Sequence, residues 1–186
     1  MTKPKTFLVA DPNFSNPKSA DKFSISVDTY NSTIINNMLA ARTSPEDCFL
    51  FFGDITSGTA EELKQLLAPL NPTQTCDIID GREQTHFSQD TYKRIFRQVW
   101  NAPGIYRGSF NNEFYTVLIS PAKRGIKYDL EQIDNYTIVA TAASKYPMDT
   151  IYKDGVLNCS LGYHSLIPIN TTDLPMIIAE RKKIGG

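Results

Sequence analysis

Short apolar runs and longer amphipathic stretches alternate through the first half of the chain, and short apolar runs alone fill the second half. Phe7 to Ala10 is a run of strand length. It ends at Asp11-Pro12, where a proline has no N–H for a ladder. Asn13 to Phe23 is polar, contains Pro17 and reads as a loop. Tyr30, Ile34, Ile35 and Met38 recur at helical spacing, which predicts a helix over Asp28 to Ala41 with Asp28 as its cap. Ser44-Pro45-Glu46-Asp47 is a turn. Cys48 to Phe52 is continuously apolar and predicts a strand covered on both faces. Thr59 and Glu62 have capping-box spacing ahead of Leu63, Leu66, Leu67 and Leu70, and Pro69 and Pro72 stop that helix. Asp77 to Asp80 is a third strand running into Gly81. Ser88 to Trp100 carries Tyr92, Ile95, Phe96 and Val99 on one side and predicts another amphipathic helix. From Ile105 onward the pattern is strand-like, at Glu113 to Ser120, Tyr136 to Ala143, Gly155 to Ser160 and Leu166 to Ile169.

Alternating strands and helices imply a mostly parallel sheet, and the later strands imply a second sheet packed on the first. The expectation is a layered α/β sandwich spanning residues 1–186 as one domain, with no internal repeat. Loops at the carboxyl ends of strands carry the chemistry in such folds. Asp11, Asp54 and Gly81 stand at three such ends and are expected to converge.

Composition narrows the possible roles. The chain has 186 residues, of which 41% are hydrophobic and 21% charged, so a disulfide-independent core is expected. A net charge of −1 gives no overall attraction to nucleic acid or anionic lipid. Cys48, Cys76 and Cys159 are odd in number and widely spaced, without a Cys-x-x-Cys pair, and read as free thiols in a reducing compartment. The run at Phe7 is too short for a signal-peptide core, and no stretch reaches the ~20 apolar residues of a membrane helix. A soluble protein, not secreted by a cleaved signal, is expected.

The ordered motifs resemble those of the calcineurin-like metallophosphoesterases, especially the small single-domain bacterial and phage members. Their opening Ser-Asp-x-His-Phe-x-His motif aligns with Ala10-Asp11-Pro12-Asn13-Phe14-Ser15-Asn16. Their Gly-Asp aligns with Gly53-Asp54, and their Gly-Asn-His-Asp with Gly81-Arg82-Glu83-Gln84. Later His elements fall near Ile119-Ser120-Pro121 and Ala140 to Ala143, and similar strands recur at Leu157 to Ser160 and Pro168-Ile169. The resemblance implies a four-layer αββα sandwich with mixed sheets. It also implies a two-cation site, of whose ligands only Asp11 and Asp54 persist. Asn13 and Asn16 replace histidines, Arg82 a ligating Asn, and Glu83 the histidine that protonates the leaving group. Ile119 or Ser120, Thr141 and Ala143 stand at the remaining ligand positions. Two carboxylates cannot hold two cations and activate a water between them. Converging carboxylates without cations repel, and an arginine fork neutralises such a pair, so Arg82 is expected against Asp54 or Asp11.

The degenerate pocket is therefore expected to comprise Asp11, Asn13, Asp54, Arg82 and Glu83, with no resident metal and no catalytic residue. The expected role is a structural or protein-binding subunit of a larger assembly, a virus particle being one such, placed in the cytoplasm or the virion. Two alternatives stand beside it. One is a hydrolase using Mn²⁺ or Mg²⁺ on Asp11 and Asp54, with help from Glu83, since hard oxygen donors suit those ions. The other is a module that binds phosphate or nucleotide through Arg82 without hydrolysis. Tyr106, Arg107 and Phe110, in an expected loop, form an aromatic–basic cluster suited to a protein partner. His86 and His164 read as isolated histidines, and Cys159 as a small core residue.

Overall fold

The computed structural model describes residues 4–80, 87–101, 104–110, 113–120, 137–141 and 156–177. Its first strands are β1 (Thr6–Ala10), β2 (Cys48–Phe52), β3 (Cys76–Asp80) and β4 (Gln98–Asn101), all parallel to their neighbours. A short β9 (Ile169–Asn170) pairs antiparallel with β1, which gives the order β4-β3-β2-β1-β9. The second sheet has the order β5-β6-β7-β8, from β5 (Gly104–Phe110), β6 (Glu113–Ser120), β7 (Thr137–Thr141) and β8 (Val156–Asn158). β5 and β6 are antiparallel, whereas β6, β7 and β8 are parallel. Both sheets are thus mixed, and the chain is α/β.

Alternation along the strands divides the core in two. Phe7, Val9, Phe49, Phe51 and Ile78 face one way, into a cluster with Tyr30, Ile34, Met38, Leu63 and Leu67 from the helices. Leu8, Ala10, Phe52 and Ile79 face the other way and meet Val117, Ile119, Leu157 and Cys159 of the second sheet and its flank. Helices, first sheet and second sheet therefore form three successive layers. A fourth, helical layer would have to come from residues outside those described.

The helices are α1 (Pro17–Asp21), α2 (Val27–Ala41), α3 (Ala60–Leu67), α4 (Pro72–Thr75) and α5 (Gln89–Lys93). Three differ from the sequence expectation. The expected loop at Asn13 to Phe23 contains α1, because Pro17 occupies a first-turn position and the Asn16 side chain caps the Lys18 N–H at 3.0 Å. The cap of α2 is Ser26, whose Oγ accepts the Thr29 N–H at 3.1 Å, and Asp28 lies inside the first turn. The expected helix over Ser88 to Trp100 stops at Lys93. Ile95 and Phe96 enter the core from a turn, and the Arg97 N–H then bonds Cys76 O at 2.8 Å to start β4. The capping box is present as expected, with the Thr59 N–H donating to Glu62 and the Glu62 N–H donating to Thr59 Oγ1 at 3.2 Å.

Asp47 joins the start of the fold together. Its buried carboxylate accepts the N–H groups of Lys5 at 2.8 Å, Thr43 at 2.8 Å and Ser44 at 2.9 Å. Burial alone would raise its pKa. The N–H groups of Lys5, Thr43 and Ser44, with the Thr43 hydroxyl, outweigh burial and hold the carboxyl below its ordinary value.

Candidate functional site

Asp11 and Asp54 do converge at the carboxyl ends of β1 and β2. Gly53 leaves β2 at φ 82, a left-handed conformation that a side chain disfavours, and turns Asp54 toward the loop after β1. Asp11 lies 2% exposed, and its Oδ1 accepts the Asp54 N–H at 2.8 Å. Asp11, Asn13 and Ser15 all have positive φ, at 47, 47 and 58, so this loop doubles back repeatedly.

The doubling is held by hydrogen bonds that continue the β1–β2 pairing beyond both strands. The Asp11 N–H donates to Phe52 O at 3.0 Å, Asn13 to Asp54 O at 2.9 Å and Phe14 to Ile55 O at 2.9 Å. The Ser57 N–H returns to Phe14 O at 2.9 Å, beside the Thr56 hydroxyl at 3.1 Å. The Ser15 N–H goes to Asn31 Oδ1 at 3.0 Å and the Asn16 N–H to Asn13 O at 3.3 Å. Every backbone N–H from Asp11 to Asn16 is thus engaged inside the protein, Pro12 having none. A phosphate cradle needs such groups free to face the ligand.

The side chains of Asn13 and Asn16 are turned the same way. The Asn13 amide donates to Asp11 O at 2.9 Å, and Asn16 caps α1. Tyr30 Oη donates to Pro12 O at 3.0 Å from the helix layer, and burial pushes its pKa up to about 12. Among the described residues, no three His, Cys, Asp or Glu side chains gather as a metal site. Gly81, Arg82, Glu83 and His86 lie outside the described residues, and with them the expected pairing of Arg82 with Asp11 or Asp54. Tyr106, Arg107 and Phe110 belong to β5 and not to a loop, and Arg107 is exposed. The pattern Ile-Tyr-Arg alternates as a strand does, which the turn-like Gly104 and Gly108 obscure. His164 is half-buried directly after a short 3₁₀ turn at Leu161–Tyr163, and Cys159 is buried as expected.

A second locus escaped the sequence reading. It is a cleft of about 430 Å³ between the sheets, running from Thr6 and Cys48 at the starts of β1 and β2 across β3 to Trp100 and Asn101 of β4. Leu50, Ile79 and Ile119 form its apolar wall, and Trp100 and Ile105 stand at it exposed. Arg97 spans one side in a bidentate pair with Asp77, Nε to Oδ1 at 2.8 Å and Nη2 to Oδ2 at 2.7 Å. These bonds raise the guanidinium pKa further above its ordinary value. Arg97 Nη2 also lies 3.2 Å from Cys48 Sγ, while burial, reinforced by the Asp77 charge, pushes that thiol up to about 12. Cys48 is therefore a protonated thiol at neutral pH and not a nucleophile. The available sign was Asp77 itself, a buried charge in a strand that needs a partner.

No protein-family model and no curated protein matches the chain. A solved structure of similar shape is the protein of unknown function AQ665 from Aquifex aeolicus. It superposes with a TM-score of 0.66 at 13% identity, over 95% of this chain and 100% of that one. The likeness extends to the fold alone. No helix among the described residues is long and apolar enough to cross a membrane.

Proposed function

We propose that this chain is a phosphoesterase-fold protein without hydrolytic activity, a four-layer αββα sandwich serving as a structural or protein-binding subunit of a larger assembly. Such a subunit would work in the cytoplasm or within a virus particle. The observation that carries this reading is the fastening of the loops after β1 and β2 to each other. Asp11 stands where the resemblance places a metal ligand, Asn13 and Asn16 where it places histidines, and each bonds the chain's own backbone. The engaged N–H groups of that loop also weigh against phosphate capture there.

The test is hydrolysis of bis-p-nitrophenyl phosphate by the purified chain with Mn²⁺ or Mg²⁺. The expected rate equals that of Asp54→Ala. Turnover that Asp54→Ala abolishes would overturn the proposal in favour of a hydrolase with a reduced ligand set.

A further inference from the structure

The cleft lined by Asp77, Ile79 and Trp100 adjoins a strand edge, and the two features point to one kind of occupant. β4 is the outermost strand of its sheet among the described residues. The Arg97 N–H points at Cys76 of β3, and direction alternates along a strand, so Gln98 and Trp100 aim their N–H and C=O groups away from β3. The same two residues stand in register with Asp77 and Ile79, which line the cleft. Trp100 is 49% and Ile105 65% exposed beside the opening, so large apolar groups meet water next to outward-directed backbone groups. The charged wall is neutralised within itself by the Asp77–Arg97 fork. A charged visitor would face an opposing charge already paired, whereas an uncharged one gives up no such interaction.

We infer that an extended segment of another protein chain adds as a strand to β4 and places an uncharged aliphatic or aromatic side chain in the cleft. Backbone bonding to Gln98 and Trp100 supplies affinity, and the cleft supplies selectivity. The existence of a natural partner rests on the protein-binding reading above, while the geometry of the edge does not.

The probe is a displayed library of random tryptophan-free dodecapeptides, selected on the whole immobilised chain. Trp100 is the single tryptophan, so its emission reports binding of each synthetic winner directly. The expected winners carry uncharged apolar residues at alternate positions and shift that emission saturably. They bind at least tenfold more weakly to Gln98→Pro, which removes an outward N–H, and to Ile105→Asp, a surface change beside the cleft. Equal binding to both variants, or no enriched peptide, overturns the inference. Self-association of the unmodified chain that Gln98→Pro abolishes also overturns it, by giving the edge to a second copy. Phosphodiester turnover in the same preparation would defeat the non-catalytic reading and leave the result at this edge standing.

Discussion

Single residues decide how this chain spends its charge. Asp47 gathers three backbone N–H groups and one hydroxyl, and its loss leaves these partly buried donors without their carboxylate. Asp47→Ala should cost about 3 kcal/mol in urea unfolding, in the range of lost bonds to a charged group. The sign with pH follows from the lowered carboxyl pKa. The contribution is present above the unfolded value of about 3.9 and disappears as pH falls through the folded value. The stability gap between the natural chain and Asp47→Asn should therefore be full at pH 6 and shrink below pH 4. Cys48 makes a second prediction. With its pKa near 12, its thiolate fraction at pH 8 is about 10³-fold below that of a free thiol, so iodoacetamide should leave it intact in the native chain. In denaturant all three cysteines should alkylate, as mass spectrometry would count.

At the scale of elements, sequence legibility followed the length and purity of each pattern. β1, β2 and α3 were readable because an uninterrupted apolar run or a capping box has one common structural meaning. Ser88 to Trp100 misled because Tyr92, Ile95, Phe96 and Val99 satisfy helical spacing while belonging to a helix, a turn and a strand in succession. The Arg97 pairing with Asp77, twenty residues away, settles that segment and has no local trace. Asp11 and Asp54 were legible as neighbours because both end parallel strands. The inward use of Asn13 and Asn16 was not, since an amide that caps and one that ligates look alike in sequence. The contact between the sheets can be tested at Gly104. A Cβ there would clash with Ile79 Cδ1. Gly104→Ala should destabilise by about 2 kcal/mol, as overpacking does. Ile79→Val removes the offending carbon, so although it costs about 1 kcal/mol alone, it should recover part of the loss in the double variant. Thermal unfolding of the four proteins closes the cycle.

Across the whole molecule, the first sheet is covered by helices on one face and by the second sheet on the other. Amides of Phe49 to Phe51 should exchange only through global unfolding, while the outward Gln98 and Trp100 amides should exchange at least about 10²-fold faster, by hydrogen-exchange NMR. The layered α/β architecture was readable from the order of elements, and the Aquifex aeolicus structure shares it at 13% identity. Neither reaches activity, because sites are grafted onto folds. The zipped loops beyond β1 and β2 carry a mechanical implication. Bridged at Phe14 and Thr56 and locked by Asp11 to the Asp54 N–H, they move as a single clasp. Opening it would sacrifice several bonds at once, so these two loops part together or not at all.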